Sequence, residues 1–227
     1  QLKVIAFWAF GAERTMDAGN MAEGKSKAAS LQLLGGALCL DFANTVGNHK
    51  AGEPSEHLAG YADWVAWSQY AGALTPTQAR RLLTESARHP TEAKEAFKRA
   101  TELRETIYRI FGSIAENASP KSADLERLNE ALARGLAHSR VVATPEGFRW
   151  DWTDETALDR MEWLVARSAA DLLTLGDLDR VRQCGDAECG WLFIDTSRNR
   201  SRRWCDMNDC GNRAKARRHY RRLRGIE

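Results

Sequence analysis

Four of the chain's five cysteines fall within 27 residues, as Cys184-x4-Cys189 and, fifteen residues later, Cys205-x4-Cys210. No other feature limits the fold so strongly. Two thiol pairs on a short spacer can place four sulfurs at the corners of one tetrahedron, the ligand set of a structural zinc ion. A disulfide framework would instead be spread through a small secreted domain. Redox-active thiols and an iron–sulfur cluster are the other chemistries open to clustered cysteines. The absence of C-x-x-C weighs against the first. Four thiolates leave no open position for water, so a catalytic zinc is not expected. Glycine follows each second cysteine (Gly190, Gly211), where it would let the backbone turn its amides toward the sulfurs. Cys39 lies far upstream in an apolar stretch and reads as a core thiol in a strand.

Around the thiols the charge changes sign. Residues 180–227 carry 13 Lys/Arg and 6 Asp/Glu, a balance of +7, so the other 179 residues carry −5 of the chain's net +2. Arg198, Arg200, Arg202, Arg203, Arg213, Lys215, Arg217, Arg218, Arg221 and Arg222 crowd the second pair, with Arg224 beyond them. Guanidinium forks suit phosphate, and an acidic body with a basic tail suits a polyanion, DNA foremost and RNA possible. The competing reading is a solvated charged face. A helix is expected over about 212–224, with Ala216, His219, Tyr220 and Leu223 packed on the cysteine knuckle. Trp204 and Tyr220 could stack on bases or fill core.

The body reads as mostly helical. Residues 31–54 suggest two short strands around Gly35-Gly36, and Leu58 to Ala71 a helix closed by Gly72. Thr75-Pro76-Thr77-Gln78 is a capping box that should start a helix running to about Ala87. Phe97, Leu103, Ile107, Ile110, Phe111 and Ile114 form one helical stripe over 91–116. Ser122 should cap the next helix, 140–152 a hairpin about Pro145-Glu146-Gly147, and 154–175 a long helix ended by Gly176. Asp41 and Asn44 beside Trp64 and Trp67 could line a small-molecule pocket. The plainer reading has the polar pair capping a turn and the indoles in the core. No nucleophile–base constellation stands out, and an enzyme is not expected.

Residues 1–30 read as a disordered leader or extension. LKVIAFWAF has the length of a signal-peptide core but one basic residue and no small-x-small cleavage site after it. Met16 and Met21 are plausible native starts. No run reaches the roughly 18–20 apolar residues of a membrane span, so a cytoplasmic, membrane-free protein is expected.

Two segments resemble a known family. CGNR (210–213), preceded by SRNRSRRWC, resembles the signature of the CGNR zinc-finger proteins, and GGALCLDFANTV (35–46) resembles the start of the ABATE domain that precedes that finger. The resemblance implies a stress-induced transcription regulator with a ligand-sensing N-terminal domain and a DNA-binding finger. By it, Cys184, Cys189, Cys205 and Cys210 would hold one structural zinc. The expected architecture is α+β and mostly α: a helical regulatory domain over 31–176 with small β-hairpins, then a treble-clef-like finger over 177–227. An RNA-binding or ribosome-associated factor, an enzyme with a structural finger and a zinc-stapled protein-interaction module are the alternatives.

Overall fold

The structure, a computed structural model, describes residues 27–224. Expectations for residues 1–26 lie outside the described residues. Seven α-helices and three two-stranded antiparallel ladders are described: α1 (Leu38–Ala43), β1 (Val46–Gly47), β2 (Ser55–Glu56), α2 (Tyr61–Tyr70), α3 (Pro76–Arg88), α4 (Pro90–Ala115), α5 (Ser122–Ala137), β3 (Ser139–Thr144), β4 (Gly147–Trp152), α6 (Arg160–Leu175), β5 (Val181–Gln183), β6 (Leu192–Ile194) and α7 (Asn212–Leu223). This is the α+β, mostly helical architecture expected.

The long α4 is the spine. Its 26 residues span about 39 Å at 1.5 Å per residue. Leu103, Ile107, Ile110 and Phe111 of the predicted stripe are buried, and Phe97 and Ile114 flank them. α1, α2, α3, α5 and α6 pack against this helix. Thr75 caps α3 as expected, its hydroxyl accepting from Gln78 N while the Gln78 side chain accepts from Thr75 N.

Several boundaries differ from the sequence reading, each for a local reason. The CLDFA segment is the helix α1 and not a strand, so Cys39 is a fully buried helical thiol. A short apolar run has no periodicity to separate a buried helix from a strand. Residues 27–30 are not leader: Lys27–Ser30 form a 3₁₀ turn, and Ala28 is fully buried in the main core, to which α2 also contributes. Lys121, and not Ser122, is the N-cap of α5. α6 starts six residues later than expected, because the Asp154 carboxylate accepts from Thr156 N and Ala157 N and holds the chain in a turn.

The C-terminal region is not a separate body. Val181 of β5 and Leu192 of β6 are fully buried members of the same core as α1, α2, α4 and α6. The finger's hairpin thus closes one end of the helical layer, against α1 and α4.

Asp41 at this junction carries a testable pH signature. Its Oδ1 accepts from Gly35 N at 2.7 Å, and the Gly35 carbonyl in turn accepts from Ile194 N of β6 at 2.9 Å. Burial raises the Asp41 pKa to about 6, offset only in part by the amides of Gly35 and Leu34. A carboxyl whose native pKa lies above its unfolded value of 3.8 disfavours the native state at neutral pH. That penalty fades as the pH falls through 6 towards 4. At ~1.4 kcal/mol per unit, Asp41→Asn, which keeps the acceptor oxygen, should gain up to about 3 kcal/mol over wild type at pH 7.5. The advantage should shrink by pH 5, as read by urea unfolding of both proteins. A pH-independent difference would show that Asp41 is not charged in its burial site.

Candidate metal centre and nucleic-acid interface

The finger is built on the β5–β6 hairpin. Cys184 follows β5 directly, and the chain turns through Asp186 and Glu188 to Cys189 before returning as β6. Gly190 sits at φ +75°, in the left-handed region, and a Cβ there would meet the Tyr108 hydroxyl at 2.9 Å and His49 Cβ at 3.0 Å. The turn therefore needs glycine twice over. Gly211 differs from expectation: its φ is −63°, ordinary helix, and its constraint is Met207, whose sulfur would lie 2.5 Å from a Cβ. Amides two residues beyond the first pair, those of Asp186 and Trp191, face the sulfurs of Cys184 and Cys189. Cys205 N adds a bond to Cys184 Sγ at 3.4 Å.

The second pair comes from the loop after β6. Cys205 ends it, and a π-turn over Met207–Gly211 carries Cys210 into the start of α7. All four sulfurs lie within 4.8 Å of one another, with Cys189–Cys205 at 3.7 Å and Cys205–Cys210 at 3.5 Å. A tetrahedron with Zn–S bonds of about 2.3 Å has edges of about 3.8 Å, so the thiols need close by no more than about 1 Å to hold zinc. None is in a disulfide, and all are buried. Buried and crowded together, four thiols cannot all ionise unaided. Hydrogen bonds from the Cys189 and Cys205 thiols hold Cys184 down as a thiolate, which in turn pushes Cys189 and Cys205 up; burial, then the Cys184 charge, raises Cys210. A divalent ion supplies the charge that lets all four ionise.

Two side chains tie this centre to α7. Asp186 is fully buried, and its Oδ2 accepts from Arg217 Nη2 at 2.6 Å and Arg213 Nε at 3.4 Å. Burial opposes its charge, but the Glu188 amide and the two guanidiniums hold its pKa below the usual range. Arg213 also donates to Cys210 Sγ at 3.0 Å; burial opposes its charge, but the sulfur with Asp186 and Asp209 outweighs that and raises its pKa. The arginine of CGNR is therefore a clasp on the metal site. Asp186 escaped the sequence reading, although an acid inside a cysteine pair facing eleven cations was a usable signal.

The predicted packing of α7 is overturned. Ala216, His219, Tyr220 and Leu223 do not cover the knuckle: all are exposed, Tyr220 by 64% and Leu223 by 70%, and no residue of α7 is buried. The knuckle offers the helix a carboxylate, not an apolar surface, so the Arg213–Arg217 edge turns inward. Lys215, Arg218 and Arg222 occupy the opposite side by helical periodicity and are exposed, with Arg221 on the flank. The other cations divide in the same way. Arg202 lies 4.4 Å over the Phe193 ring and donates to the carbonyls of Trp204 and Cys205. Arg200 reaches Asp177 at 3.2 Å, and Arg203 lies over Trp204. Arg198 is exposed.

The proposed pocket residues are placed as follows. Asn44 spends its amide on the finger, donating to Leu192 O at 2.8 Å and accepting from Leu192 N at 2.9 Å. Trp64 and Trp67 are fully buried against Phe42, and Asp41 holds Gly35. Two surface grooves, about 520 Å³ beside Arg80, Arg81 and Glu155 and about 400 Å³ beside Arg99 and Asp159, involve none of the four.

The segment after Asn44 forms the rest of the junction. Trp191 Nε1 donates to Val46 O, His49 N to Cys189 O, and Lys50 Nζ to Cys184 O, at 3.0, 3.0 and 3.1 Å. Buried Arg104 steadies this segment, paired with Glu56 at 2.9 and 2.6 Å and donating to Thr45 at 3.2 Å. A four-thiol knuckle fused to a helical body, with a basic helix leaving it, defines a zinc-finger protein. The chain matches the ABATE family, described as "Putative stress-induced transcription regulator", over residues 36–176, and the CGNR zinc finger over 180–223. It belongs to the ABATE family and carries a CGNR finger with one structural zinc as cofactor. No curated protein matches the chain. Among the described residues, no helix is long and apolar enough to cross a membrane.

Proposed function

We propose that this chain is a DNA-binding transcription regulator, a binding protein and not an enzyme, in which zinc on Cys184, Cys189, Cys205 and Cys210 presents α7 to duplex DNA. The observation that carries this reading is a 12-residue helix with no buried side chain, held at its first two turns by the metal turn and Asp186. Such a helix gains nothing from packing, and its like charges at i,i+4 repel. A polyanion relieves that repulsion, and the major groove admits a helix of this size. Arg198, Lys215, Arg218, Arg221 and Arg222 are the contacts to phosphate or bases, while Arg202, Arg213 and Arg217 hold the scaffold.

Fluorescence anisotropy with duplex DNA tests this division. Affinity should fall steeply as salt rises, and Lys215→Ala, Arg218→Ala or Arg222→Ala should each lower the log–log slope by about 1 without changing zinc content. A flat salt response would reject the reading, and preferential competition by structured RNA would move it to an RNA partner.

For the sensing half, support comes from three buried donors without partners, the indole N–H groups of Trp64 and Trp67 and the Ser68 hydroxyl. Buried polar groups are ordinarily satisfied, so a small acceptor-bearing effector at α2 is the reading they favour.

A further inference from the structure

The β3–β4 hairpin carries an apolar face that the body covers only at its base. Trp152 packs on Trp163, with ring centroids 5.8 Å apart, and Arg167 lies 5.1 Å over Trp150. Beyond them Trp150 is 43% exposed, Val141 58% and Phe148 73%. Cross-strand pairing puts Trp152, Trp150 and Phe148 on one face with Ser139, Val141 and Ala143, and Arg149 and Asp151 on the other. Among the described residues the sheet has two strands, so β4 keeps one edge outside the ladder.

Register decides what that edge offers. The turn is the two residues Pro145-Glu146, whose flanking pair is hydrogen-bonded, and Thr153 N donates to His138 O at 2.8 Å on the same parity. Gly147, Arg149 and Asp151 therefore turn their backbone groups to β3. Phe148, Trp150 and Trp152 turn theirs outward, the Trp152 amide onto the Asp151 carboxylate. Read outward, β4 is Phe148-Arg149-Trp150-Asp151-Trp152, aromatic at every second position and opposite in charge on either side of Trp150.

We propose that this edge is a dimer interface whose occupant is a second copy of the chain, paired antiparallel about a two-fold axis at Trp150. In that register Trp150 faces Trp150, Phe148 faces Trp152, and Arg149 faces Asp151 twice. The outward backbone groups meet as hydrogen-bonded pairs, and Asp151, now held by Arg140 at 2.9 Å and Arg149 at 3.6 Å, gains the second copy's Arg149. The result is a four-stranded sheet, more stable than two isolated hairpins. It is isologous, with the same patch on both copies. The inference does not depend on DNA binding.

Sedimentation equilibrium of the zinc-loaded full chain tests it. Wild type should dimerise with rising concentration. Arg149→Asp sets Asp against Asp151, and Asp151→Arg sets Arg against Arg149, so each variant alone should be monomeric. An equimolar mixture of the two should restore a dimer, because both cross-pairs are then opposite in charge. Phe148→Asp, at a site too exposed to affect folding, should weaken association at least tenfold. A wild type that stays monomeric, single variants that still dimerise, or a mixture that stays monomeric would each overturn the proposal.

Discussion

Removing zinc from the full chain is expected to unfold the helical body as well as the finger. Among the residues that close the body's core are Val181 and Leu192, which flank the first cysteine pair. Without metal, four buried sulfurs within 4.8 Å of one another have nothing to hold the knuckle closed. Structural zinc contributes about 10–16 kcal/mol of apparent folding free energy in zinc-finger peptides, comparable to the total stability of a domain. Chelation, or Cys210→Ser, should therefore abolish near-UV dichroism from the body's buried tryptophans along with the metal content. A body that keeps its melting transition after zinc loss would show that the finger hairpin is dispensable to the core.

Asn44→Ala is expected to be the most damaging substitution away from the metal. The Asn44 amide satisfies both backbone groups of Leu192 at a buried position, as a neighbouring strand would. Truncation leaves one buried N–H and one buried C=O unpartnered, at about 1–3 kcal/mol each, or roughly 3 kcal/mol together. The substitution should also weaken zinc binding, because a finger that docks less firmly is less pre-organised and coupling between two sites is reciprocal. Urea unfolding and competitive zinc titration check the two halves. Unchanged zinc affinity beside lowered stability would show that Asn44 serves the body alone.

How much was readable in advance depended on the range of the interaction. The capping box at Thr75 and Gln78, the stripe of α4 and the hairpin about Pro145-Glu146 are local, and each has its own periodicity or turn chemistry. The four thiols were legible because metal ligands leave a spacing that survives whatever lies between them. What failed was any feature whose partner is distant in sequence. Cys39 to Phe42 looked like a strand because nothing local shows that α4 and α6 enclose that run. Asn44 looked like a turn cap or a pocket residue because its partner, Leu192, lies 148 positions away.

The basic tail shows the same division. Its composition announced a basic surface, but composition treats every arginine alike. Only the fold places Asp186 beneath Arg213 and Arg217, and Phe193 beneath Arg202, so that these cations hold the scaffold while Lys215, Arg218 and Arg222 face out. Residue type and short-range spacing were enough to set the metal, the helical class and the sign of the surface. Tertiary structure decided which residues serve the surface and which serve the scaffold, and it joined finger and body in one core, because burial and pairing are set by neighbours that the chain brings together only when it folds.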